Sequence, residues 1–338
     1  MITEADNDSW TRLRSSYGTT GIALFLGAGV SCASRLPSWD ELVRRLFELK
    51  LGAETGGFNI LRSAGFSLPT MTEFIKAKTS ADVNFLEAVR EMLYKDFPCK
   101  AVRITNEAEG ARQVVAHVES DNATLAAIYN LAVVRNPTGK LVPNPRVLSI
   151  VNFNLDSLLE AYDTARNLLN PIRGRRCLHT IENPAATRIF NRTSIYHPHG
   201  FLRFDRRAGR QEKEATTSVL SENEYYDFYN RPTALFTYTV LSLLREFCCL
   251  FVGMSMTDDN IRRLLFYSKQ ERDESRRLSG RRAESQPRHY AILQRCNSVA
   301  QDFLTTTLLR LSVQPLWVEE FGEIPDRLGQ LTKDSLGK

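Results

Sequence analysis

The chain has 338 residues, with 44 Lys plus Arg against 39 Asp plus Glu and a net charge of +5 at neutral pH. At 43% hydrophobic and 25% charged, it has the composition of an ordinary soluble protein, long enough for one large or two small domains. No stretch approaches the ~20 apolar residues of a membrane span, and the polar, acidic opening MITEADNDSW is no secretory or transit peptide, so a cytoplasmic protein is expected.

The first element is an apolar run at residues 22–26, read as a buried strand, that ends in Gly27-Ala28-Gly29-Val30-Ser31. Glycines there let a ligand approach the backbone, and free amides in such a turn favour a pyrophosphate. A GxG after a strand is a weak signal by itself, because many such turns hold no ligand. Ser38 and Glu41 then form a capping-box pattern ahead of a helix over 39–50, whose apolar face carries Trp39, Leu42, Val43, Leu46 and Phe47. Helical patterns over about 70–97 and 122–134 predict a helical insertion at about 50–140 between the first and second strands.

Asn144-Pro145 breaks the chain before a β-branched strand over 147–151, and a helix follows over 155–166. Residues 194–196 predict a third strand, 234–247 a helix, and 248–252 an apolar strand ending at Gly253. A helix over about 258–269, strands over 289–293 and 311–318, and helices over 302–309 and 324–331 complete the pattern. The polar stretch 270–288 reads as an exposed loop or frayed helix end.

Strands alternating with helices predict an α/β fold with a Rossmann-like, doubly wound parallel sheet, whose ligands bind beyond the strands' carboxyl ends. Four such ends are polar or glycine-rich: 27–29, 152–156, 197–200 and 253–255. Asn154 offers a donor and an acceptor suited to a hydroxyl or a water, yet it also reads as a helix N-cap, and Asn152 competes with it. His197 and His199 could brace the turn around Pro198 or supply half of a metal site, but no acidic or cysteine partner lies at ligand spacing. Thr257 reads as an N-cap with Asp258 and Asp259 in the first turn. The six cysteines include no CxxC pair, so reduced, mostly buried thiols and no zinc are expected. The Arg clusters at 173–176 and 203–210 read as solvated loops or as contacts to a partner or nucleic acid.

FLGAGVS (25–31), FNLDSLLE (153–160), YHPHG (196–200) and FVGMSMTDDNIRRLL (251–265), in this order and spacing, resemble the sirtuin-like domain of bacterial antiphage NADases. The likeness runs from Gly21 to about Leu331 and implies a single sirtuin-like NAD-binding domain over 1–338. It implies NAD+ as substrate, cut at the nicotinamide–ribose bond through an oxocarbenium-like state to nicotinamide and ADP-ribose. At the matching positions it makes Asn154 and His199 catalytic, His199 as base, with Asp156 placed to accept from the carboxamide amine. Gly27, Ala28, Gly29 and Ser31 would contact the phosphates, and Gly253, Ser255 and Asp258 the adenosine end.

Protein-deacylating sirtuins carry a zinc ribbon with two CxxC pairs and a Gly-x-Pro-x-Phe-Arg type loop. Here no CxxC pair exists and Arg35-Leu36-Pro37-Ser38-Trp39 takes the loop's place, which implies water as acceptor and no metal. Trp39 could cap the site or pack in the core. Relatives of this bare form work with a separate activator, a HerA-type ring ATPase or a short Argonaute, and deplete NAD in abortive infection. A homo-oligomer with no membrane association is expected, and direct nucleic-acid contact is left open. Deacylation or ADP-ribosyl transfer, and a non-catalytic nucleotide-binding scaffold, are the competing functions.

Overall fold

The computed structural model describes residues 4–52, 56–79, 82–99, 107–170, 172, 176–182, 186–203, 219–230, 234–280 and 286–333. The chain opens with α1 (Glu4–Thr19), β1 (Ile22–Leu26) and α2 (Trp39–Leu51). Then come α3 (Gly57–Ser63), α4 (Leu68–Ala77), α5 (Asp82–Leu93), α6 (Glu107–Asp121) and α7 (Ala123–Ala132). A short antiparallel hairpin of β2 (Val133–Arg135) and β3 (Leu141–Pro143) leads to β4 (Val147–Asn152) and α8 (Leu158–Leu169). Next are β5 (Leu178–Ile181), β6 (Thr193–Tyr196), α9 (Glu222–Asn230), α10 (Leu235–Glu246) and β7 (Cys248–Val252). The last elements are α11 (Asp259–Leu278), β8 (His289–Gln294), α12 (Ser298–Leu309), β9 (Val313–Val318) and α13 (Ile324–Lys333).

Seven strands form one parallel sheet in the order β5-β6-β4-β1-β7-β8-β9, a Rossmann-like arrangement. β1 lies between β4 and β7, with Leu26 level with both Asn152 and Val252. The chain leaves β1 towards one edge and returns across it to β7. That reversal puts the switch point, where such sheets open a ligand crevice, at the end of β1. All five residues of β1 are buried, as a strand covered on both faces requires. Ile22, Leu24 and Leu26 face the larger apolar cluster with Leu46, Met71, Phe85 and Ile128 of the helical layer. Ala23 and Phe25 face the other cluster, with Val240, Leu244, Leu264 and Leu265 of α10 and α11.

Several expectations need correction. The pattern over 70–97 is two helices, α4 and α5, and α7 gives way to the hairpin once the β-branched pair Val133-Val134 begins. The acidic opening belongs to α1, anchored by buried Trp10, Leu13 and Tyr17 at helical spacing. Of the two readings of 270–288 the helical one holds over 270–278, with 281–285 outside the described residues: α11 continues because Lys269–Asp273 and Arg277–Glu274 pair along it while Arg272 is buried. Its N-cap is Asp258 rather than Thr257. Ser38 caps α2, but the reciprocal half of the capping box is replaced, since the Glu41 carboxylate accepts from Arg44 and Arg45. Trp39 is half-buried and packs on the larger cluster. The cysteines are all free thiols, with Cys32 and Cys296 exposed and the other four buried. Residues 173–175 and 204–210 of the Arg clusters lie outside the described residues. Among the described residues no group of three or more His, Cys, Asp or Glu could hold a metal ion, and no helix is long and apolar enough to cross a membrane.

Candidate functional site

At the crevice, the loops after β1 and β7 interlock through their backbones. Gly27 N–H donates to Val252 O and Gly29 N–H to Gly253 O, both at 3.0 Å. A Cβ on Gly27 would stand 2.5 Å from Met254 Cγ and 2.7 Å from Gly253 O, and one on Gly29 2.9 Å from Gly253 Cα. Gly253 itself has φ +70°, and a Cβ there would meet Val30 N at 2.6 Å. Loop-to-loop contact therefore accounts for all three glycines without a ligand. Of the amides at 27–29, only that of Ala28 lacks a partner among the described residues.

The loop after β4 is built by a chain of side-chain bonds. Asn152 is turned inward, its Oδ1 accepting from Asn154 N–H at 3.1 Å, as in an Asx turn. Asn154 Nδ2 donates to Gly27 O at 3.0 Å and to Ser31 Oγ at 3.3 Å. Ser31 Oγ–H donates to Asp156 Oδ2 at 2.7 Å, and Asp156 Oδ1 accepts from Leu158 N–H at 3.1 Å at the start of α8. The helix start is thus served by Asp156, not by Asn154. Ser31 and Asp156 are each only 3% exposed, and burial pushes the Asp156 carboxyl above its ordinary value. Asn154 remains half-buried, and its Oδ1 accepts no bond among the described residues.

The turn after β6 separates its two histidines. His197 is fully buried, with Nδ1 3.2 Å from Asn154 O and Nε2 2.7 Å from Glu160 Oε1. Both nitrogens face oxygen atoms of the protein, which fixes the ring's orientation. Glu160 Oε2 is buried with no hydrogen-bond partner among the described residues. His199 is half-buried, its ring 5.1 Å from Phe153 and 5.5 Å from Tyr225 of α9. Burial pulls its pKa down to about 4, against the opposing effect of the Asp258 carboxylate, so its imidazole is neutral at pH 7.

Asp258 accepts from Asn260 N–H at 2.7 Å and Ile261 N–H at 3.1 Å, which caps α11 and holds its charge towards His199 and Tyr225. Burial first, then that charge, raises the Tyr225 phenol. Ser255 is exposed, and its Oγ lies 2.7 Å from Thr257 Oγ1. Three members of this constellation have no sequence signal of their own: Glu160, Tyr225 and Tyr94. Tyr94 O–H donates to Leu202 O at 2.6 Å and accepts from Ser157 N–H at 2.9 Å, tying the helical insertion to the site. Glu160 closes the 153–160 motif, yet nothing in its own spacing marks it, since Asp156 lies ahead of α8 and not on its face.

The fold and these strand ends define an open α/β sheet with a polar crevice at its switch point, the architecture that takes nucleotides. Residues 148–311, just under half the chain, match the sequence model of a family described as the SIR2-like domain, which supports a Sir2-type domain there. SIR2-like domains bind NAD+, so the match points to an NAD-related function. The matched segment holds Asn154, Asp156, His199, Gly253, Ser255 and Asp258, and stops short of the loop at 27–31. No curated protein matches the chain.

Proposed function

We propose that the chain is an NAD+ glycohydrolase that transfers the ADP-ribosyl group to water. The observation that carries this reading is the setting of His199: neutral at pH 7, between Phe153 and Tyr225, at the strand ends that also present the side-chain oxygen Oδ1 of Asn154. Water adds at C1′ of the nicotinamide riboside as the C1′–N bond breaks. The bond's electron pair neutralises the pyridinium nitrogen, and the water's proton passes to the His199 imidazole. Nicotinamide leaves without acid assistance because its ring nitrogen is already cationic. Asn154 Oδ1 accepts from a ribose hydroxyl or the water, and the aromatic walls keep bulk solvent from the cation. The absence of any CxxC pair in the 338 residues supports water over an acyl-lysine as acceptor.

In this reading the activity is held low until a separate activator engages, a HerA-type ring ATPase or a short Argonaute, and release depletes NAD during phage infection. Chromatography of NAD+ with purified protein, with and without the product of the neighbouring gene, tests it. Nicotinamide and ADP-ribose should appear in equal amounts and vanish in His199→Ala and Asn154→Ala. Full activity in both variants would overturn the site. A scaffold reading draws on one observation, that Ser31, Asp156 and two of the loop amides are bonded within the protein. Tight NAD+ binding without turnover, even in the assembled complex, would favour it.

A further inference from the structure

Helix α12 departs from the other helices around the sheet. Leu308 is its one buried residue among twelve, and Asp302 its one charged residue. Val299 is 79% exposed and Phe303 65%, with Leu309 also on the surface. The exposed positions 299, 302, 303, 306, 309 and 310 recur at three- and four-residue spacing, so they form one stripe along the outer face. A packed helix normally hides that kind of stripe, whereas a solvent-facing one is polar.

The charges on the stripe decide what covers it. Asp302 and Arg310 stand on it four residues to either side of Thr306, eight residues or roughly 12 Å apart along the axis. They cannot pair with each other in one chain, and neither has an ion-pair partner among the described residues. Antiparallel packing of two copies about a two-fold axis at Thr306 sets position 306−n against 306+n. Asp302 then faces Arg310 of the other copy, twice by symmetry, and Phe303 faces Leu309. Thr306, small and uncharged, is what close approach at the axis requires. The neighbouring edge strand β9 carries Pro315, which discourages strand-to-strand association on the same side.

We propose that α12 is a self-complementary interface through which two copies of this chain associate. With the axis at Thr306 the two helices overlap from 302 to 310, about 12 Å, a contact at the low end of interface size, so the dimer is a weak one. It is independent of the NAD+ reading and can fail or hold without it. Sedimentation velocity of the full chain over a concentration series tests it. A concentration-dependent dimer is expected, lost in Phe303→Glu. Asp302→Arg alone and Arg310→Asp alone set like charges against each other and should each weaken association by at least about tenfold. The double variant Asp302→Arg/Arg310→Asp should recover it, which no effect within one chain can produce. These positions are exposed, and circular dichroism of each variant confirms the fold. A wild type that stays monomeric at every soluble concentration overturns the proposal, as does a dimer indifferent to Phe303→Glu or a double variant no better than the singles.

Discussion

The crevice has two halves made in opposite ways. Behind the ends of β1 and β4, Ser31, Asp156 and Glu160, joined by His197 from the turn after β6, are buried and bonded to one another or to the backbone. On the β6 and β7 side, His199, Tyr225, Asp258 and Ser255 are half-buried or exposed and lie among rings and a single carboxylate. The first half is a frame, and the proposed function makes the second the working surface. Two histidines two residues apart show the difference most clearly. The His197 nitrogens lie against Asn154 O and Glu160 Oε1, and the His199 ring packs between Phe153 and Tyr225 with its charge suppressed by burial.

Alanine at each histidine is the strongest test of that division. His197→Ala strands the buried Glu160 carboxylate, which costs about 3–5 kcal/mol and should appear as a large drop in the denaturation midpoint. His199→Ala should leave the midpoint near wild type while nicotinamide release falls by about 10²–10⁴-fold. If the two variants behave alike in both measurements, the division is wrong. The next effect belongs to the interlocked loops. Gly253→Ala must hold a positive φ and meet Val30 N at 2.6 Å, so a loss of about 2–3 kcal/mol is expected in urea titrations. Gly322→Ala, where nothing lies within 4 Å, is the control and should be close to neutral. Ser31→Ala is smaller still: Asp156 loses one donor in a buried site, about 1–2 kcal/mol, with Asn154 Nδ2 keeping its bond to Gly27 O.

The two halves were also unequally legible in the sequence. β1 and β7 are continuous apolar runs closed by glycine, and their bounds, 22–26 and 248–252, emerge directly from that pattern. The strand-end motifs are local too, so Asn154, His199 and Asp258 could be named from the family resemblance those motifs carry. The frame could not, because its bonds join residues far apart: Tyr94 to Leu202 across 108 positions, Ser31 to Asp156 across 125. Edge strand β5 escaped notice because its middle residues, His179 and Thr180, are half-buried and polar, unlike a central strand. The length of α11 was hidden by its charges, which look like a solvated loop until their three- and four-residue pairing is seen.

The smallest effect is a slope, and it belongs to the working half. His199 has an ordinary value of 6.5 and a folded value of about 4. Between these the unfolded chain binds a proton that the folded chain refuses, so stability falls as pH drops from 6.5 towards 4 and this contribution levels off below. One such group contributes less than about 1.4 kcal/mol per pH unit. Fully buried His289 acts with the same sign, since burial and the nearby Arg272 and Arg288 hold its value well below normal. Asp156 acts oppositely, its raised value favouring the protonated folded state. Buried Asp163, raised to about 6, acts in the same sense as Asp156, so the wild-type curve mixes at least four groups, and the difference between wild type and His199→Asn isolates one. Chemical denaturation at pH 4 to 8 should give a shallower acid-side fall in the variant, with the residual slope from His289 intact. Parallel curves would mean that His199 keeps its ordinary value of 6.5, so that burial does not suppress its charge and the contrast with the frame fails.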